Sequence, residues 1–195
     1  MQANAFSQPY FDRFYFNSHT RVAEPAYFDR LAAFTAAYLK LLDCPVKRIL
    51  DVGCGAGLLH RGLRRAFRGV KIDACDASEY ICQRYGWRWA TIEELPLTRT
   101  YDLVICHDVL QYLGREAARE ALQKLAAFSH CALLFGVLTR EDWDHNCDQR
   151  LTDANAHLRA AAWYRRELGR YFRNAGGGLY IRRDAGIVLY ALEAT

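Results

Sequence analysis

Asp51, Gly53, Gly55 and Gly57 recur at alternate positions in the run Ile49–Leu50–Asp51–Val52–Gly53–Cys54–Gly55–Ala56–Gly57–Leu58. Alternate glycines let a backbone turn sharply and leave no side chain to block a ligand lying over it. A dinucleotide fingerprint, G-x-G-x-x-G, would place its third glycine at position 58, where this chain has Leu. Asp76 stands 23 residues after Gly53, with Ala77 and Ser78 behind it. A carboxylate there can accept hydrogen bonds from both hydroxyls of a ribose, or it can cap a following helix, a task Ser78 can share. His107 is the next group able to move a proton, with Asp108, Gln111 and Tyr112 just beyond. The run Asp142–Trp143–Asp144–His145–Asn146–Cys147–Asp148 is also rich in reactive types. No second Cys/His cluster at ligand spacing accompanies it, so no metal is expected.

These groups need a scaffold that brings distant segments to one rim. Short apolar runs at Val46–Val52, Val70–Cys75, Trp87–Thr91, Tyr101–His107 and Cys131–Leu138 read as strands. Between them, Leu58–Phe67, Ser78–Tyr85 and Arg115–Phe128 read as helices. The near-continuous apolar character of the first, fourth and fifth strands fits burial on both faces. Such alternation predicts a doubly wound, mainly parallel α/β sheet covered by helices on both sides. The glycine loop then lies at the switch point where such sheets bind ligands.

The ends depart from this rhythm. An aromatic start (Tyr10, Phe11, Phe14, Tyr15, Phe16) precedes an amphipathic helix over Pro25–Leu42, whose apolar face reads as Phe28, Leu31, Phe34, Ala37, Tyr38 and Leu41. Residues 1–45 are expected to form a helical lid, and 46–195 the core of one domain. After the fifth strand, Thr139–Leu151 reads as irregular and Asn155–Arg173 as a helix, which Asp153 could cap. Leu179–Arg182 and Gly186–Leu192, joined by Arg183–Asp184–Ala185, read as two strands of an antiparallel hairpin, because so short a link cannot cross over. About seven strands are therefore expected.

The D-x-G-x-G-x-G loop resembles the cofactor loop of class I S-adenosylmethionine-dependent methyltransferases. That cofactor has no pyrophosphate, so the loop has only its amino-acid moiety and sulfonium to accommodate. The resemblance covers roughly residues 46–138 and continues through Asp76, Ala90–Pro96 and Tyr101–Leu113. It implies S-adenosyl-L-methionine as cofactor, held by Asp51, Gly53, Cys54, Gly55, Gly57, Asp76, Ala77, Thr91, Ile92 and His107. The family commonly has an acidic residue for the adenine amino group where this chain has Thr91, leaving the Ile92 amide and side chain to clamp the ring. Many relatives also carry a pair such as Glu-His where Gln111–Tyr112 stands. Thr139–Trp143, Cys147–Gln149 and Leu192–Glu193 resemble small bacterial methyltransferases of undefined substrate.

Methyl transfer from a sulfonium needs alignment above all, and a base only if the acceptor must lose a proton. His107, His145 and Tyr15 are the candidates for that chemistry. A small-molecule acceptor, methylated on O, N or S as in secondary metabolism, fits short covering segments over one rim. A protein or RNA methyltransferase and a non-catalytic S-adenosylmethionine-binding module are the alternatives. The Asn-Pro-Pro-Tyr type of signature of nucleic-acid amino-methyltransferases is replaced by Cys106–His107–Asp108–Val109.

Composition is that of an ordinary soluble globular protein: 195 residues, 52% hydrophobic and 25% charged. The net charge of +4 lies in short arginine clusters, which suit solvated helix faces better than a nucleic-acid surface. No apolar run reaches the roughly 18 residues of a membrane span, and the first residues lack a secretory signal's basic flank and apolar core. The seven cysteines include no CxxC pair, so reduced thiols and a cytoplasmic location are expected.

Overall fold

The computed structural model describes residues 6–190. Its seven-stranded sheet comprises β1 (Arg48–Val52), β2 (Lys71–Asp76), β3 (Arg88–Trp89), β4 (Tyr101–His107), β5 (Ser129–Gly136), β6 (Phe172–Gly176) and β7 (Leu179–Arg182), in the order β3-β2-β1-β4-β5-β7-β6. The first five are mutually parallel, and β7 runs antiparallel to both β5 and β6. Winding reverses between β1 and β4, which opens a crevice at their carboxyl ends.

Side chains alternate across the sheet and both faces are buried. Leu50, Val52, Val104, Cys106, Leu133 and Phe135 pack towards α5 (Arg115–Phe128) and α7 (Ala161–Leu168). Ile49, Leu103, Ile105, Ala132 and Leu134 pack on the other side, towards α2 (Pro25–Leu41) and α3 (His60–Ala66). The remaining helices are α1 (Gln8–Phe11), which continues into a π turn over Asp12–Phe16, α4 (Glu79–Tyr85) and α6 (Arg140–His145).

Several expectations are corrected. The fully buried stripe of α2 is Ala32, Thr35, Ala36 and Leu39; of the expected face, Phe28, Leu31 and Tyr38 pack at its margin, while Phe34, Ala37 and Leu41 are exposed. Small side chains let α2 lie close to α3, and that contact outweighs the bulkier stripe. The terminal hairpin is β6–β7, closed by Gly176–Gly177–Gly178, all at positive φ, so part of the expected helix 155–173 is strand. Residues 186–190 form no strand, and 191–195, including Leu192–Glu193, lie outside the described residues. Thr139–Leu151 contains α6, whose N-terminus the Thr139 hydroxyl caps by accepting from the Asp142 amide at 3.2 Å. Asp153 caps no long helix; its carboxylate accepts from the Asn155 amide at 3.0 Å. Cys44, just after α2, and Cys131, in β5, are joined in a disulfide where free thiols are expected from the sequence; both are buried in the same apolar layer. Among the described residues, no helix is long and apolar enough to cross a membrane.

Candidate functional site

The glycine loop leaves β1 and folds back on the end of β2, where the Gly53 and Cys54 amides both donate to the Cys75 carbonyl, at 2.8 and 3.1 Å. Gly53 has φ +70°, and a Cβ on it would sit 2.3 Å from Val109 Cγ2 across the switch point. Only glycine satisfies that conformation and that approach together. Asp76 holds the loop from the other side: one carboxylate oxygen accepts from the Gly55 amide and the other from the Ser78 amide, each at 2.8 Å. The cap of α4 belongs to Ser78, whose hydroxyl accepts from the Ile81 amide at 3.2 Å. Burial pushes the Asp76 carboxyl upwards, the two amides pull it down, and the net displacement is upward.

Three cavities meet here. The first, of about 620 Å³, is lined by Gly53, Gly55, Asp76, Ala77, Thr91 and Ile92, and roofed by Phe6, Tyr10, Phe11 and Tyr15. It gathers six of the ten positions expected to hold the cofactor. The Thr91 side chain is occupied, because Glu94 accepts from both its amide and its hydroxyl, at 2.8 and 3.1 Å. Glu93 also lines this cavity and is the acidic group nearest the expected adenine position in sequence. Asp51, Cys54 and His107 instead line a smaller cavity of about 410 Å³, which also contains Gly53, Tyr15 and Asp108. Burial lifts the Cys54 thiol far above its usual range, so it stays protonated. Gly57 lines none of the three; a Cβ there would meet His60 Nδ1 and Trp87 Cζ2 at 3.0 Å.

A third cavity, of about 730 Å³, lies below the N-terminal aromatics, with Tyr10, Tyr15, Phe28, Gln111, Tyr112, Asp108 and Asp153 in its walls. Tyr15 and Asp108 line all three. Asp108 sits at φ +58°, and although the chain encloses it, 47% of its side-chain surface remains open. Its carboxylate lies 2.9 Å from His107 Nδ1. Burial pushes Asp108 up, but the His107 hydrogen bond and charge bring it below the usual carboxylate range. Burial lowers His107, the same pair raises it, and the imidazole ends above its ordinary value. The ring lies over Gly136, where a Cβ would come within 2.5 Å of His107 Nε2.

The turn bearing Gln111 and Tyr112 is clamped from the tail. Arg159 donates to the carbonyls of Leu110 and Leu113, and the His157 amide to that of Gln111 at 2.7 Å. Burial raises the phenol of Tyr15 well above its normal value, which suits hydrogen bonding and not proton abstraction. His145 is exposed at the end of α6 and lines none of these cavities. Two contributors have no counterpart in the sequence reading. His60 Nε2 lies 2.8 Å from an Asp51 oxygen, both buried, and Arg159 braces the rim. A histidine nine residues after Asp51 was the available signal for the first; nothing local marks the second. Among the described residues no group of three or more His, Cys, Asp or Glu could hold a metal ion.

Residues 50–130 match the family described as Methyltransferase domain. That segment, under half of the chain, is similar to methyltransferase domains. Malonyl-(acyl-carrier protein) O-methyltransferase of Anoxybacillus flavithermus is 34% identical to this chain over 99 residues, 46% of this chain and 38% of that protein. A ubiquinone biosynthesis O-methyltransferase of Hahella chejuensis is 32% identical over 107 residues, 49% of this chain and 45% of its own. Each match thus spans less than half of the curated relative. Among solved structures, magnesium protoporphyrin IX methyltransferase from Synechocystis with bound S-adenosylhomocysteine shares the fold at a TM-score of 0.64 and 22% identity, covering 91% of this chain and 93% of that one. Plantazolicin methyltransferase in complex with S-adenosylhomocysteine gives 0.62 at 16% identity, covering 75% and 63%.

Proposed function

We propose that this chain binds S-adenosyl-L-methionine in the first cavity and transfers its methyl group to a small acceptor in the third. The observation that carries the reading is the shared wall: Tyr15 and Asp108 face the cofactor cavity and the acceptor cavity alike. The residues present fit the cofactor. Gly53 and Gly55 give an unobstructed floor, Asp76 keeps lone pairs free for ribose hydroxyls, and Ala90, Ile92 and Leu113 offer an apolar slot for adenine.

When bound, S-adenosyl-L-methionine supplies an electrophilic methyl on a sulfonium. The chain then has to exclude water, align the acceptor and receive any proton the acceptor releases. Tyr10, Phe11 and Tyr15 cover the junction against solvent. Asp108 is the polar group that meets the acceptor, and His107 acts through it, since His107 lines the small cavity and not the acceptor's. Asp51, fixed by His60, and the loop amides are suited to the ammonium and carboxylate of the cofactor's amino-acid end.

Calorimetry on the purified chain tests the reading. S-adenosylmethionine and S-adenosylhomocysteine are expected to bind and NAD not to; tighter binding of NAD overturns it. Incubation with a metabolite extract and methyl-labelled cofactor separates an enzyme, which yields labelled small molecules, from a non-catalytic binding module, which yields none. Label on protein or RNA instead points to those acceptors.

A further inference from the structure

The third cavity carries a charge pattern that restricts what can enter. Its described lining contains two carboxylates, Asp108 and Asp153, and no Lys, Arg or His. Asp108 is offset by His107 at 2.9 Å. Asp153 has no such offset: its partners are the neutral amide and side-chain nitrogen of Asn155, both at 3.0 Å, and it forms no ion pair among the described residues. Charge from Asp153 also reaches the phenols of Tyr10 and Tyr112 on the opposite wall. The cavity therefore holds at least one unbalanced negative charge beside apolar surface.

The rings reinforce this sign. Tyr10, Tyr15, Phe28 and Tyr112 border the space, and aromatic faces attract cations and repel anions. Arg13 already sits over one wall ring, Phe14, 4.9 Å from its centroid. In the same wall, Gln111 is 4% exposed and its Oε1 has no hydrogen-bond partner, an acceptor left without a donor. Carboxylates, ring faces and an unpaired carbonyl together ask for a ligand that is positive, apolar and rich in N–H donors.

We infer that the acceptor of this methyltransferase is an aromatic or similarly apolar amine, with its nitrogen between Asp108 and Asp153. The inference rests on the methyltransferase reading above. The transfer balances without further reagents. The ammonium gives its proton to water, and the nitrogen lone pair forms the N–C bond as the S–C bond breaks, its electron pair staying on sulfur. Positive charge thereby passes from sulfur to nitrogen, and the methylated product leaves as an ammonium. Charge moves towards the two carboxylates during the reaction, which favours the transition state over the ground state. An anionic acceptor would bring its carboxylate against Asp153 and find no cation to meet it.

The test is calorimetric titration of the full chain saturated with S-adenosylhomocysteine, using tryptamine, its neutral analogue tryptophol and its acidic analogue indole-3-acetate. Tryptamine is expected to bind at least tenfold more tightly than tryptophol, with indole-3-acetate weakest. Asp153→Asn should reduce the advantage of tryptamine over tryptophol several-fold, with an unchanged melting temperature and unchanged S-adenosylhomocysteine affinity. If Asp153→Asn proves unstable, Asp108→Asn should likewise narrow the gap between tryptamine and tryptophol. Equal or tighter binding of either analogue, or no binding of tryptamine to a chain that binds S-adenosylhomocysteine, overturns the amine inference and leaves the methyltransferase reading standing. Failure of S-adenosylhomocysteine itself to bind overturns both.

Discussion

The hydroxyls of Tyr10 and Tyr112 lie 3.0 Å apart, a single hydrogen bond joining the N-terminal aromatics to the turn after β4. It spans 102 residues of sequence and crosses the boundary between the first and third cavities. Tyr10→Phe keeps the ring contacts with Phe6 and Phe14 and removes this bond together with the hydroxyl contact to Tyr15. The loss is about 0.5–1.5 kcal/mol. Hydrogen exchange should report faster opening of the amides over residues 8–16, with the sheet unaffected.

Asp76→Ala should weaken S-adenosylhomocysteine binding by about 1.5–3 kcal/mol, the loss typical of hydrogen bonds to a charged group. Unchanged affinity in a folded variant would confine Asp76 to bracing the loop through Gly55 and Ser78. The carboxylate is the form that accepts from ribose hydroxyls, and burial lifts its pKa above that of an ordinary aspartate. Affinity is thus complete well above that raised value and declines as pH falls through it. Calorimetry across a descending pH series should show the decline starting at higher pH than an exposed aspartate would give.

Gly53→Ala combines positive φ with a 2.3 Å approach to Val109 Cγ2. The backbone cost alone is about 1–2 kcal/mol, and the clash adds to it. Thermal melts should show a lower midpoint, and S-adenosylhomocysteine binding should be lost. Gly53→Ala combined with Val109→Ala should recover part of the stability.

His107→Gln retains a donor for Asp108, whereas His107→Ala does not. With His107 acting through Asp108, the alanine variant should lose about 10–100-fold in turnover, the cost of a lost hydrogen bond to a charged group. The glutamine variant should stay close to the parent. A loss of two to four orders of magnitude in both would make His107 the base itself. Gly136→Ala pushes on the same imidazole and should resemble His107→Ala.

The His107–Asp108 pair also fixes a pH signature. Its imidazole titrates above its ordinary value and the Asp108 carboxyl below its own, so the pair's contribution to stability is complete between about 3.9 and about 6.5, fades as pH rises through the folded imidazole value and is lost again in acid as Asp108 protonates. Denaturant melts at several pH values should show this fall in the parent and a smaller one in Asp108→Asn.

Local pattern made much of this molecule readable. β4 and α5 have the boundaries their apolar runs predict, and the glycine loop lands at the switch point because strand, turn and helix are continuous in sequence. The tail was misread for an identifiable reason. Phe172–Gly176 lacks strand alternation, and its pairing depends on β7 and on three glycines that read equally well as a loop. The face of α2 is legible in part: Phe28, Leu31 and Tyr38 pack on the core, but Ala32, Thr35, Ala36 and Leu39 take its centre. In the site, Asp76 and Gly53 follow from spacing, but the meeting of Tyr15 with Asp108 and of Asp51 with His60 depends on tertiary packing. That His107 lines the small cavity and not the third is a matter of which way one strand end points, which no spacing encodes.

The aromatic segment from Phe6 to Tyr15 borders both the first and the third cavity with one piece of chain. With the proposed cofactor and acceptor in those cavities, both spent molecules would leave past Tyr15, whose ring lies beside Gly55. Chemistry completed beneath that cover is followed by a wait for release. Rapid mixing should accordingly reveal a burst: the first methyl per protein molecule appears faster than every one after it, and Tyr10→Phe, by loosening the cover, raises the slow phase while leaving the burst amplitude in place.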